Sequence, residues 1–214
     1  MTDRNHTHVT SFLRDEDGTT LVEFAMVISL FLLIFFGLID FGRLAYHIVT
    51  SERAMHAAAR IAAVRPPACP GVPEFLTLSS LAPASTEYEY GTNCNFGGSS
   101  ICADPETLPC LGEMSNPTAA EIWSAVGVVL PPGSDVSNLR FSYTYDARMG
   151  FLGGPYVPVV TVELEDVPFT FVTPLAGLAA LVGATGGSSL GPTITMPLMS
   201  VSLPGEDLAQ GEDG

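Results

Sequence analysis

There is no lysine anywhere in this sequence, and its eight cationic side chains, all arginines, face 23 carboxylates. A net charge of −15 leaves no basic cluster able to neutralise a phosphate backbone, which excludes nucleic acid as a partner. Charged residues of either sign are scarce too, at 14% against the roughly 25% of ordinary soluble domains, while 47% of the chain is hydrophobic. Apolar mass must therefore be concentrated somewhere. Histidine is confined to His6, His8, His47 and His56. The remainder of the chain thus has no imidazole from which a Ser-His-Asp or Cys-His nucleophilic site could be assembled. The 21 glycines and 17 prolines follow no period, which excludes a collagen-like chain. The glycine-rich stretch 183–191 lacks the lysine of a phosphate-binding loop and reads as a plain loop.

The apolar mass lies near the N-terminus. Residues 21–39 read LVEFAMVISLFLLIFFGLI, with Glu23 as the one charge. At 1.5 Å of rise per residue this run reaches about 28 Å, close to the roughly 30 Å hydrocarbon core of a bilayer, so it is expected to span a membrane. It is not a cleaved secretory signal. The leader before it sets Arg4 and Arg14 against Asp3, Asp15, Glu16 and Asp17, and Asp40-Phe41-Gly42-Arg43 follows in place of a small-residue cleavage site. Arginines do not fix the orientation, because Arg4 and Arg14 on one side balance Arg43 and Arg53 on the other.

Cysteine usage breaks the tie. Cys69, Cys94, Cys102 and Cys110 all follow the apolar run, with no C-x-x-C pair and no histidine near them. That pattern predicts two disulfides, in any of three connectivities, rather than a metal site. No cofactor is expected. Disulfides imply an oxidising compartment, so the leader is placed in the cytoplasm and the rest beyond the inner membrane, in a single pass.

After the apolar run, helical spacing persists to Val64 and ends at Pro66-Pro67. Ala54, Ala58 and Ala62 form a stripe of small residues at i, i+4 that would let another backbone approach closely. Residues 66–116 hold the cysteines and read as a stapled loop region. Asn116-Pro117 is an N-cap followed by proline at the first helical position, opening a short helix with Ile122, Trp123, Val126 and Leu130 on its apolar side. Alternation predicts strands over 139–145, 157–165 and 193–203, the last broken by Pro197 and therefore at a sheet edge. The apolar stretch 169–182, interrupted by Pro174, reads as a buried helix after a strand. Residues 204–214 read as a disordered acidic tail. The organisation is thus a leader (1–18), a transmembrane and extended helix (19–65), the cysteine region (66–116), a head (117–203) and the tail. The fold class is α+β: a long N-terminal pilin-like helix, then a small antiparallel-sheet head with disulfides. Acid pairs such as Glu163/Glu165 and Asp104/Glu106 read as solvated faces.

One motif remains. Gly18-Thr19-Thr20-Leu21-Val22-Glu23-Phe24 lies at the junction of polar leader and apolar run. It resembles the prepilin peptidase site of type IV pilins, which is cut after glycine and carries glutamate at the fifth mature position. The wider run GTTLVEFAMVISLFLLIFFGLIDFGRLAY resembles TadE-like proteins, pilin-like components of tight-adherence (Flp) pilus systems, and VTVELEDVPFTFVTPLAGLAAL is similar to that family's C-terminal part. Asp17 stands where prepilins usually carry a basic residue, and Phe24 where Flp-type sites often have tyrosine. The resemblance implies a non-enzymatic protein acting in pilus assembly, with processing at Gly18 and Thr19. Its partners would be other pilin-like subunits, the assembly machinery, a prepilin peptidase and the membrane. Glu23, together with Ala54, Ala58 and Ala62, would set helix register and assembly. Two rival readings are a signal-anchored extracytoplasmic enzyme or binding module, and a type II secretion pseudopilin.

Overall fold

The computed structural model describes residues 17–83, 87–172, 193–206 and 208. Most of the leader, the apolar stretch from residue 173, the glycine-rich stretch 183–191 and the end of the tail lie outside the described residues. The chain divides into two compact units, Met1–Arg43 with Phe171–Pro192, and Leu44–Thr170 with Thr193–Gly214.

Helix α1 (Asp17–Val64) is 48 residues long. It starts earlier than the apolar run that propagates it. Val64 ends it ahead of Pro66-Pro67, where the ring of proline and its missing N–H forbid continuation.

In the first unit α1 is almost bare. Of residues 18–36 only Leu33 is even partly shielded, and the exposed side chains include Leu21, Phe24, Met26, Leu30, Phe31 and Ile34. Phe31 and Phe35 stack one turn apart, with ring centroids 5.9 Å from each other. A helix so apolar and so uncovered fits a single-pass membrane anchor.

In the second unit the character of α1 inverts. Ser51, Ala54, Met55, Ala58, Ala59, Ala62 and Ala63 are buried at i, i+3 and i+4 intervals, while Glu52, Arg53, His56 and Arg60 stay exposed. After α1 come the hairpin strands β1 (Asn95–Phe96) and β2 (Ser99–Ser100), then β3 (Leu108–Leu111), helix α2 (Pro117–Val126) and a single 3₁₀ turn at Val136–Asn138. Strands β4 (Leu139–Thr144), β5 (Val159–Leu164), β6 (Pro168–Thr170), β7 (Thr193–Thr195) and β8 (Met199–Pro204) follow.

The main sheet is antiparallel in the order β3-β4-β5-β8, and β6 pairs with β7 in a separate two-stranded sheet. Alternation sets its faces. Leu139, Phe141 and Tyr143 of β4 and Val160, Val162 and Leu164 of β5 point into the core. In register, Phe141 lies opposite Val162 and Tyr143 opposite Val160. Each such side chain contributes about 1.5–3 kcal/mol by leaving water. On the opposite face Arg140 lies 3.9 Å from Glu163 and 3.5 Å from Glu165, so that acid pair faces a counterion at the surface.

Three expectations need correction. The cysteine region is more than a loop, because its β3 joins the main sheet with Cys110 opposite Phe141. Pro109 hid this strand, and an edge position is where proline is tolerated. The run 193–203 is two strands in two sheets, separated at Pro197; β8 does lie at a sheet edge. Part of the stretch read as a tail is held by the rest of the chain. Gly205 N–H donates to Pro158 O at 2.8 Å, Glu206 N–H donates to Ala63 O at 2.9 Å, and Leu208 is buried.

Candidate assembly helix

Gly18 and Thr19 lie in the first turn of α1, and Glu23 follows within the same unbroken helix. Thr19 and Glu23 are four residues apart, so they share a face one turn apart. Both side chains are exposed, and a Cβ at Gly18 would meet nothing within 4 Å. These three residues lie near the start of α1, at the polar end of the apolar run.

Asp40 occupies the other end of that run, a residue the sequence analysis passed over. It is 2% exposed. Arg43, one turn on, donates Nη1–H to its Oδ1 at 3.0 Å, and the backbone N–H of Val172 reaches the same oxygen at 3.3 Å. The ring of Phe171 meets that of Phe41 edge-to-face at 5.9 Å. The signal was present: an aspartate closing an apolar run with arginine three residues later is a helix ion pair. The chain that returns to it could not be foreseen.

The alanine stripe is placed differently from expectation. Ala54, Ala58 and Ala62 are all buried within the second unit. Ala54 shares an apolar groove with Ala125 and Val126 of α2 and with Val129 just beyond it. All three are covered by the chain's own atoms rather than left open to a neighbouring subunit.

The end of α1 is fastened by polar contacts. Asn116 caps α2 by accepting the Ala119 N–H at 3.0 Å, and its Nδ2 donates to Ala68 O at 3.1 Å. Thr118 Oγ1 donates to Pro66 O at 2.7 Å, and Arg65 forks onto Glu121 with both contacts at 2.9 Å. Tyr143 Oη accepts the Ala68 N–H at 2.9 Å. Burial pushes the Tyr143 phenol above its ordinary range, and that N–H pulls it partly back.

The four cysteines form two disulfides, Cys69–Cys110 and Cys94–Cys102. The first ties the segment just after α1 to β3 across a sequence separation of 41. By the chain-entropy account such a loop restricts the unfolded state by about 3–4 kcal/mol. The second brackets the β1–β2 hairpin across a separation of 8. Among the described residues no group of three or more His, Cys, Asp or Glu side chains is placed to hold a metal ion.

Among the described residues one helix, Gly18–Val64, is long and apolar enough to cross a membrane. No curated protein and no solved structure matches the chain. Residues 18–63, however, match the family model described as TadE-like protein. That match starts at the glycine of the motif and runs one residue short of the end of α1. Over its long N-terminal helix, this chain is similar to TadE-like proteins.

Proposed function

We propose that this chain acts, without catalysis of its own, as a membrane-anchored pilin-like subunit in the assembly of a tight-adherence pilus. A prepilin peptidase cuts it after Gly18. Residues 21–39 hold it in the inner membrane, with the leader in the cytoplasm and the disulfide-bonded part outside. The observation that carries this reading is Gly18, Thr19 and Glu23 at the head of one continuous helix that matches the TadE-like model.

The physical argument runs through Glu23. A carboxylate inside a bilayer costs about 2.5–3.5 kcal/mol at mid-span and less near the surface, and such residues serve a function. Cleavage after Gly18 creates a cationic amine at Thr19, one turn from Glu23 in the same helix and within reach of Glu23 in a parallel neighbour. Pairing the two charges lowers the cost of burying either and fixes the axial register of adjacent helices. The exposed apolar side chains of residues 21–36 then supply the packing surface between subunits.

The test is complementation of a strain in which the gene is deleted. The unaltered chain should restore piliation, and Glu23→Gln should insert into the membrane at normal levels while piliation falls at least tenfold. Full piliation with Glu23→Gln would remove the register role. Full piliation in the deletion strain itself would remove the assembly function.

A further inference from the structure

The main sheet has two edges, β3 and β8, and they differ in what they offer a further strand. Hydrogen-bonded and non-bonded pairs alternate along an antiparallel ladder, so one bond fixes which backbone groups face outward. Just beyond β3, Gly112 N–H donates to Leu139 O at 2.7 Å. Counting back in register, Leu108 and Cys110 bond to β4, while Pro109 and Leu111 face away from it. Proline thus takes an outward position and removes an N–H, which blunts that edge against further pairing.

The β8 edge has no such protection. Gly205 N–H donates to Pro158 O at 2.8 Å, so Met199, Val201 and Leu203 bond to β5, while Ser200 and Ser202 face outward. Both serines are exposed, and their backbone N–H and C=O groups have no hydrogen-bond partner among the described residues. Residues 199–203 contain neither a charge nor a proline to deter a further strand. The edge also borders a groove. Glu52, Met55 and His56 of α1 form one wall of it, and residues 198–202 form the other.

A strand laid along β8 would meet Ser200 and Ser202 main chain to main chain. Its side chains opposite Met199 and Val201 would fall on the α1 side, because directly opposed residues share a face. That side holds Leu198, which is 61% exposed, beside the imidazole of His56. It also holds the exposed carboxylate of Glu52, which has no ion pair among the described residues.

We propose that the free edge of β8 takes up an extended, cationic segment of another protein as an added strand, with a lysine or arginine seated against Glu52. Charge selects that occupant. A second copy of this chain, also at −15 and without lysine, is repelled, whereas a cationic segment is attracted. The surface uses no residue of the leader motif or the apolar run, so it stands independently of cleavage after Gly18.

The test titrates a fluorescent peptide, Thr-Val-Thr-Lys-Thr-Val-Thr, into the full disulfide-bonded chain in detergent micelles and reads anisotropy. The peptide should bind with a Kd below about 1 mM, and a version with glutamate in place of lysine about tenfold more weakly. Ser202→Pro removes one outward N–H without breaking a bond to β5, and should abolish binding. Ser202→Ala keeps that N–H and should bind normally. Glu52→Gln should remove most of the difference between the two peptides. Hydrogen exchange of amides 198–204 in the unaltered chain should slow with peptide bound, a readout that needs no variant to fold. Absent binding, unchanged exchange, or equal binding to Ser202→Pro would overturn the proposal. A chain that is dimeric alone and monomeric as Ser202→Pro would place a second copy on this edge, which also overturns it.

Discussion

Tyr156 is buried, stacks on Tyr145 with ring centroids 6.5 Å apart, and leaves its hydroxyl without a hydrogen-bond partner among the described residues. Burial first, then the charges of Asp104 and Tyr145, push its phenol up to about 12 from an ordinary value of 10. A folded-state value above the unfolded one means that folding favours the neutral form. The associated stability is intact below pH 10 and is lost as pH climbs from there through about 12. Tyr156→Phe keeps the ring and deletes the orphaned hydroxyl. It should raise stability at neutral pH by about 1–2 kcal/mol and flatten the loss above pH 10. Urea denaturation of the detergent-solubilised chain on either side of that pH measures both effects. An unchanged alkaline slope would show that Tyr143, whose phenol burial also raises, dominates instead.

At the level of elements, legibility followed periodicity. The strands over 139–145 and 157–165 were readable because apolar side chains alternate with polar ones, and β4 and β5 fall within those limits. Asn116-Pro117 was readable because cap chemistry is local, and Asn116 does cap α2. Strand β3 was not readable, since Leu-Pro-Cys-Leu has neither alternation nor length and is a strand only because β4 pairs with it. The alanine stripe shows the limit of inference from one helix. Small residues at i, i+4 announce a close neighbour without saying whose, and here the neighbour is internal. Ala58 is 0% exposed, so Ala58→Leu forces bulk into a filled seam and should destabilise the second unit by about 1–3 kcal/mol. Thermal denaturation should show a lowered Tm before any assembly partner is added. An unchanged Tm, with assembly impaired, would return the stripe to the surface between subunits.

For the molecule as a whole, charge scarcity, one long apolar run and four clustered cysteines sufficed to read an anchored chain with a disulfide-bonded, α+β part. They did not reveal which cysteines pair. Cys69–Cys110 depends on the register of β3 against β4, a long-range fact absent from local sequence. Nor did they reveal the return of Phe171 and Val172 to the end of the apolar run, because that contact joins positions 132 apart. The leader motif is the opposite case. Gly18, Thr19 and Glu23 are close in sequence and share one helix. The central claim, a processed pilin-like subunit, rests on that local motif. Intact-mass measurement of the membrane-extracted chain, made with and without an active prepilin peptidase, tests it most directly. With peptidase, the mass should be that of a chain beginning at Thr19, and Gly18→Leu should restore the unprocessed mass by placing bulk where the enzyme requires a small residue. Retention of the residues up to Gly18 in the presence of active peptidase would contradict the account.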